Sequence, residues 1–238
     1  APLRTRDGDW LRPLAGKPAQ LAPRLPGRHA EAPDAAQCQA VGAALAALHR
    51  ALATHALARV NAHGRDWWQA LAAHWQPRLP ADEQALLAQL LHAHDTALAR
   101  APALPAGLIH GDLFRDNLLF TNTAVSGLLD FSECGHDHWL LDIAITMNDF
   151  CRAWPTDTPD PAREQAFLAG YAGVRALTPD EQQALPAFLA VAAMRFWLSR
   201  LDIAACNARE ERGGEHVTEK DPAEMRRLAA RRLAAIPA

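Results

Sequence analysis

The sequence of 238 residues predicts an α+β fold with a mainly helical body and a small share of short β-strands. Half of the residues are hydrophobic, and alanine, a strong helix former, is used heavily. Short apolar runs separated by turn residues, near the N-terminus and in the middle of the chain, predict β-hairpins instead. The clearest helical stripe has spacings of 3, 4, 3 and 4 residues, at Cys38, Val41, Leu45, Leu48 and Leu52.

The N-terminal segment is predicted to be β-rich. It combines short apolar stretches with Gly and Pro turn signals, as β-hairpins do. The connector that follows is expected to be stiff, because proline fixes φ. The expected elements are a hairpin with Asp7-Gly8 between strands 3–6 and 10–14, a turn at 16–18, a strand over 19–22 and a proline-rich connector over 23–27.

Most of the remaining chain is predicted to be helical, with helix starts marked by capping residues. Pro186 is expected to divide the helix that begins near Thr178 into a short helix and a longer one from about Ala187. A polar loop over 209–219 then leads to a last helix, whose arginines are expected to form a solvated face at Arg226, Arg227, Arg231 and Arg232. The predicted starts lie at Asp34, Asp66, Pro80-Asp82, Leu140, Asp160-Pro161, Thr178-Pro179 and Asp221-Pro222.

The chemically most informative segment is LIHGDLFRDNLLF, which is followed by a polar insert and GLLDF. Asp112 precedes Asn117 by five residues, and Asp130 ends the next apolar run. The same spacing occurs in phosphotransferase catalytic loops, where one carboxylate accepts the proton of a substrate hydroxyl. The amide and the second carboxylate offer hard oxygen ligands for Mg²⁺. The segment thus predicts a strand, a catalytic loop, a hairpin and a metal-binding Asp130 at a strand end.

That spacing alone is a weak signal, since Asp and Asn are common in turns. The His110-Gly111 pair before Asp112 and the Asp-Phe pair after the second strand favour the catalytic interpretation. His110 is interpreted as a packing and hydrogen-bonding residue, not as a base.

Composition excludes several other classes of protein. The net charge of −3 gives no indication of a nucleic-acid surface. The four cysteines include no C-x-x-C pair, which argues against a zinc ribbon or a disulfide framework and fits a reducing cytoplasm. We find no signal peptide and no apolar run of 18 residues, so membrane insertion is not expected. The oligomeric state is left open.

The motifs LIHGDLFRDNLLF, LLDFSECGHDHWLLDIAITMNDFC, RFWLSRLD and KDPAEMRR together resemble one known family. The chain is similar to the aminoglycoside/choline kinase branch of the protein-kinase-like fold and, within it, to bacterial homoserine kinases. This resemblance starts at the first residue and runs to about Arg232. It implies a protein-kinase-like fold of the aminoglycoside phosphotransferase type, with ATP and Mg²⁺ as cofactors and a cytoplasmic location.

The resemblance also implies a division into two lobes. Residues 1–28 would hold partial N-lobe strands and the hinge, and residues 29–238 the helical C-lobe with the catalytic hairpin. In such a hinge, the C=O of Pro23 and the N–H of Leu25 would bind adenine. The strand lysine and the nucleotide-covering loop of the family are not found, because neither Lys17 nor Lys220 has the expected context. We therefore expect the later part of a longer protein that lacks most of the N-lobe.

Four further residues are candidates for supporting or binding roles. Asp142 in LLDIAI is expected to lie in the first turn of a helix and, as the resemblance implies, to brace the catalytic loop through backbone N–H groups. Arg195 lies among apolar residues, so it either pairs with an internal aspartate or binds an anionic group of the substrate. Glu133 could bind a substrate ammonium. Asp149 could reach the substrate, with solvent exposure as the alternative.

Two classes of function compete. The first is an ATP-dependent kinase that phosphorylates the hydroxyl of a small molecule, namely L-homoserine for threonine biosynthesis, or else choline, an aminoglycoside or hydroxylysine. An arginine in the RFWLSR helix favours the amino acid, since choline and aminoglycosides are cations. The second is a non-catalytic, truncated kinase-like module that binds a partner. Retention of Asp112, Asn117 and Asp130 together argues against the second.

Overall fold

A computed structural model describes residues 2–55, 57–209 and 220–237 of the chain. The helices of this described part are α1 (Ala35–Leu52), α2 (Arg65–Trp75), α3 (Ala81–Arg100), α4 (Trp139–Phe150), α5 (Pro161–Ala172), α6 (Pro179–Arg209) and α7 (Pro222–Ala234). Its strands are β1 (Arg12–Leu14), β2 (Lys17–Ala19), β3 (Ala106–Ile109), β4 (Leu118–Thr121), β5 (Ala124–Leu128) and β6 (Gly135–His138). The α+β class with a mainly helical body is confirmed.

The longest helix, α6, forms the centre of the helical body. It packs against α2, α3, α4 and α7 and contributes buried residues such as Phe188, Met194 and Trp197. The capping box predicted at Thr178 and Glu181 is present, with reciprocal hydrogen bonds of 3.1 and 2.8 Å. By length and composition α6 could cross a membrane, contrary to the expectation from sequence, but 78% of its apolar window is buried inside the protein. It is a core helix.

The break predicted at Pro186 is wrong, because α6 continues through it. Proline removes one backbone hydrogen bond and strains the preceding turn, but tertiary packing can offset this cost. Here the neighbours Leu185 and Ala187 are both buried. Burial on both sides of the proline therefore keeps the two halves in one helix.

The N-terminal hairpin forms one turn later than predicted. Strand β1 pairs with β2 around Ala15 and Gly16, which both have positive φ. Asp7-Gly8 does form a turn, but it has no flanking strands. Two consecutive turn residues with positive φ match the right-handed twist of the flanking strands, which explains why the hairpin turn forms at Ala15 and Gly16. Residues 3–6 form no strand, and the strand expected over 19–22 forms instead over Lys17–Ala19 as β2.

Most helix starts agree with the predicted caps. Asp34, Asp160 and Asp221 each accept hydrogen bonds from first-turn backbone N–H groups. Asp66 does not cap α2, whose N-cap is Gly64, and lies instead in the first turn. The predicted loop at 209–219 lies outside the described residues except for its first position.

The arginine face of α7 is more buried than predicted. Arg232 is 6% exposed, donates to Asn148 at 2.9 Å and contacts Glu164. Arg226 contacts Glu83. The expectation of a solvated face is therefore wrong for Arg232, because α7 packs this side against α4 and α5 partners.

Two small antiparallel ladders flank the central motif. Strands β4 and β5 form the predicted hairpin with a turn at Asn122 and Thr123. Strand β3 pairs with β6. His136 and Asp137 lie on β6. Their polar sequence conceals a strand whose backbone pairs with β3 and, at His136, also with Arg59 and Asn61.

Helices α1 and α5 cross at unusually close range through two glycines. A Cβ on Gly42 would lie 2.1 Å from Phe167 O, and a Cβ on Gly170 would lie 2.0 Å from Gln39 O. Any side chain at these positions would force the backbones apart. The crossing sets the relative position of His49 on α1 and Tyr171 on α5.

We predict that Gly42→Ala lowers the free energy of unfolding by about 1–3 kcal/mol or more, because the added methyl group overpacks this crossing. Gly173→Ala is the matched control, since its Cβ would meet no atom closer than 3.4 Å. Chemical denaturation of both variants measures the difference. Equal stability of the two would contradict the close-packed crossing.

Candidate active site around the catalytic loop

The catalytic loop connects β3 to β4 and spans residues 110–117. Its sharp start depends on Gly111, which has φ +78. A Cβ there would also lie 2.9 Å from Glu133 O. Glycine is therefore required twice, for the left-handed backbone and for the close approach of the neighbouring loop.

Asp142 anchors this loop from below. Its Oδ2 accepts from His110 N at 2.7 Å, and its Oδ1 accepts from Gly111 N at 3.0 Å. The side chain is fully buried. Burial alone would raise the pKa of Asp142, but the hydrogen bond and charge of His49, the charge of His110 and the hydrogen bond from His110 N hold that pKa below its usual range. The loop is thus held by an ionised carboxylate.

His49 connects the Asp142 carboxylate to two further helices. Its Nε2 lies 3.0 Å from Asp142 Oδ2, and its Nδ1 lies 2.8 Å from Tyr171 Oη. The imidazole stacks on Trp139 with ring centroids 5.6 Å apart. Three helices, α1, α4 and α5, therefore fix the carboxylate that holds the loop.

Asp112 is half-buried near the start of the loop. Asn117 Nδ2 donates to Asp112 O at 2.8 Å and to Asp112 Oδ2 at 3.3 Å. Burial raises the pKa of Asp112 to about 6, against the opposing effect of the Arg195 charge. A partly buried carboxylate with a pKa near 6 can accept a proton at neutral pH.

Both ring nitrogens of His110 are engaged. The Nε2 atom lies 2.8 Å from Leu129 O, and Nδ1 lies 3.4 Å from Asp112 N. The Nε2 atom is placed to donate to the Leu129 carbonyl, and Nδ1 is placed to accept from the Asp112 N–H. The side chain is fully buried, so it has no nitrogen available to a substrate.

Asn117 and Asp130 fit a divalent cation by their chemistry. The Asn117 amide nitrogen bonds to Asp112, so its carbonyl oxygen is left for a ligand. Asp130 is exposed just after β5 with φ +53 and accepts from Ser132 N at 3.1 Å. Hydrogen bonding from the Ser132 side chain, together with the bond from its backbone N–H, lowers the pKa of Asp130 and favours the anionic form. An amide oxygen and a carboxylate are the hard ligands that such an ion prefers.

Two cavities flank the catalytic loop. The first, here the loop cavity, has a volume of about 890 Å³, and Asp112, Glu133 and Arg195 are among its lining residues. The second, here the hinge cavity, has about 1040 Å³ and is lined by the connector around Pro23 and Leu25 and by Asp130. Asp112 therefore faces one cavity while Asp130 faces the other.

Arg195 lies at the wall of the loop cavity and is 4% exposed. Its Nη1 donates to Gly111 O at 2.9 Å and its Nε to His63 O at 3.1 Å. Both bonds go to backbone carbonyls, not to the internal aspartate that was one of the two expectations. The guanidinium therefore brings a positive charge to the cavity that holds Asp112.

Asp149 does not line the loop cavity, and its predicted contact with substrate is corrected. It is 3% exposed and accepts from Arg115 N at 2.8 Å and Arg115 Nε at 3.1 Å. Its other oxygen lies 3.3 Å from Arg152 Nη2. The alternative of solvent exposure is wrong as well, because both oxygens hold the catalytic loop and its surroundings.

Glu133 lines the loop cavity and contacts His63. Sequence reasoning missed His63, since it lies 70 residues earlier in an irregular segment with no motif. It also missed four cavity residues that local patterns assign to packing or solvent: Trp67, Phe114, Phe196 and Lys220. Ser199 and Asp202, four and seven residues after Arg195 on α6, also line the cavity.

Comparison with known proteins gives a consistent family. Residues 2–177 match the phosphotransferase enzyme family (APH). A homoserine kinase of Pseudomonas aeruginosa is 47% identical over 231 residues, which cover 96% of this chain and 71% of that protein. A homoserine kinase of Cupriavidus taiwanensis is 40% identical over 246 residues, which cover 100% of this chain and 72% of that protein.

Solved structures share the fold at low sequence identity. An amicoumacin kinase in complex with AMP-PNP and Ca²⁺ is 17% identical with a TM-score of 0.62, covering 99% of this chain and 72% of that one. A microcompartment-associated aminopropanol kinase is 23% identical with a TM-score of 0.61, covering 98% of this chain and 73% of that one. The fold is therefore protein-kinase-like, of the aminoglycoside phosphotransferase type.

We predict that Asp142→Asn destabilises the protein by about 1–3 kcal/mol, because an amide cannot accept from both loop N–H groups without turning its own donor toward one of them. Asp66→Asn is the matched control, an exposed first-turn aspartate on α2, for which we expect less than about 0.5 kcal/mol. Denaturation curves and amide hydrogen exchange at His110 and Gly111 measure both effects. Unchanged exchange at these two amides would contradict the anchor.

Proposed function

We propose that this chain, which belongs to the phosphotransferase enzyme family, transfers the γ-phosphoryl group of ATP to the hydroxyl of L-homoserine. The observation that carries the proposal is that Asp112 lines the loop cavity, Asp130 lines the hinge cavity, and Asn117 is hydrogen-bonded to Asp112. Homoserine kinases at 40–47% identity over nearly the whole chain support this acceptor.

Asp112 is the proposed base. It accepts the proton of the acceptor hydroxyl and aims that oxygen toward the nucleotide. Its hydrogen bonds from the Asn117 amide fix its orientation. The nearby Arg195 charge offsets part of the cost of keeping this half-buried carboxylate ionised.

Asn117 and Asp130 are the proposed ligands of a divalent ion, which we take to be Mg²⁺. The bound ion would neutralise charge on the nucleotide phosphates. Asp130 contributes an anionic oxygen and Asn117 a neutral one, which together suit a hard cation. The Ca²⁺ and AMP-PNP complex of the amicoumacin kinase supports nucleotide and divalent-ion use in this fold.

The hinge cavity is the proposed nucleotide site. Pro23 can accept a hydrogen bond from the adenine amino group through its C=O, and Leu25 can donate through its N–H. Residues 1–28 would then act as the nucleotide-side lobe and residues 29–238 as the body that carries the catalytic loop. The aliphatic side chains of Leu119, Leu128 and Leu129 give the cavity an apolar wall suited to a purine ring.

The loop cavity is the proposed acceptor site. Homoserine is a zwitterion, so its site needs a cation for the carboxylate and an acid for the ammonium. Arg195 supplies the positive charge, and Glu133, which contacts His63, supplies the negative one. A cytoplasmic location fits this role, because none of the four cysteines, all within the described part, forms a disulfide.

We predict that Asp112→Asn lowers kcat by about 10²–10⁴, the usual contribution of a general base. In the unmodified protein, kcat/KM for the acceptor should fall tenfold per pH unit below about pH 6, because the pKa of Asp112 is raised to about 6 and only its ionised form accepts a proton. Coupled ADP-release assays across pH 5–8 measure both. Asp82→Asn, an exposed first-turn residue of α3, is the control and should leave kcat unchanged.

A further inference from the structure

Three cations line the loop cavity: Arg195, Arg200 and Lys220. The two arginines already have fixed partners. Arg195 donates to the carbonyls of Gly111 and His63, and Arg200 donates to Glu224 Oε2 at 2.7 Å and to Asp221 O at 2.9 Å. Neither guanidinium can leave these bonds cheaply, since both are largely buried.

Lys220 is held differently. Its Nζ lies 3.3 Å from Asp116 Oδ2 and 5.3 Å from the centroid of the Phe114 ring. The two charged side chains of this pair are 53% and 63% exposed. An exposed ion pair contributes little to stability, so the ammonium can exchange Asp116 for another anion at small cost.

The position of Lys220 indicates which anion that would be. It lines the same cavity as Asp112, and its charge lowers the pKa of that carboxylate. Lys220 is absent from the lining of the hinge cavity, where the described residues include the candidate metal ligand Asp130. The ammonium therefore faces the acceptor and not the nucleotide.

We propose that Lys220 is a specificity residue that binds the carboxylate of the acceptor and so selects amino acid alcohols over plain amino alcohols. This inference rests on the proposed acceptor site. Arg195 supplies a fixed positive charge at the wall of the cavity, and Lys220 reaches the same carboxylate from the exposed rim. The pair Asp116 and Phe114 holds the ammonium in place when the acceptor is absent.

The test compares L-homoserine with 3-aminopropan-1-ol, which has the same hydroxyl and ammonium but no carboxylate. We expect Lys220→Gln to lower kcat/KM for homoserine about tenfold or more, as loss of a charge-assisted hydrogen bond does. The same variant should change kcat/KM for 3-aminopropan-1-ol less than about twofold. Lys220→Arg should restore most of the homoserine activity, because it keeps the charge.

The chain offers a matched control, since Lys17 on β2 is its only other lysine. Lys17→Gln should leave both substrates unaffected. An equal fall in kcat/KM of Lys220→Gln for the two substrates would overturn the inference, because the ammonium would then act on the phosphoryl group. An unchanged kcat/KM for both substrates would also overturn it.

A binding measurement separates failure of this inference from failure of the proposed reaction. Reductive ¹³C-methylation labels Lys17, Lys220 and the terminal amine, and Lys17→Gln assigns the spectrum. L-Homoserine should shift the Lys220 methyl resonance and leave that of Lys17 in place, whereas 3-aminopropan-1-ol should shift neither. This result would support the inference even without turnover, and an unmoved Lys220 resonance at saturating homoserine would overturn it.

Discussion

The buried carboxylate of Asp142 is the interaction on which the rest of the site depends. A charge removed from water is costly unless its oxygens are satisfied. Here they accept from two consecutive backbone amides of the catalytic loop and from His49. Because His49 lies on α1 and its other nitrogen contacts Tyr171 on α5, the loop is tied to three helices at one point. The close glycine crossing of α1 and α5 fixes the geometry of that point.

The same anchor organises the two sides of the reaction. One peptide unit further along, the Gly111 carbonyl accepts a hydrogen bond from Arg195 Nη1. Asp112 follows Gly111 in the chain, so its carboxylate projects from a backbone that is held in place. Asp149 secures the next turn of the loop through Arg115. A short loop is thus held along its length by two buried aspartates of α4, which positions Asp112, the proposed base, before any substrate enters.

What the sequence could reveal depended on how local each feature is. Asp112, Asn117 and Asp130 lie within 19 residues on a loop and a hairpin, so their spacing together with the adjacent His110-Gly111 and Asp-Phe pairs was enough to predict the motif. Helix caps at Asp34, Asp160 and Asp221 are likewise local. The role of Asp149 and the continuity of α6 through Pro186 depend on partners distant in sequence. The loop cavity joins residues from position 63 to position 222, and no periodic pattern encodes that assembly.

Product formation from ATP and Mg²⁺ tests the homoserine assignment most directly. The acceptors to compare are L-homoserine, L-serine, L-threonine, choline and kanamycin. Phosphorus NMR of the reaction mixture identifies the phosphorylated product without a coupling enzyme. We expect a phosphomonoester of homoserine as the dominant product. A phosphorylated choline or kanamycin in its place, with homoserine unreacted, would contradict the assignment of the loop cavity to a zwitterionic amino acid.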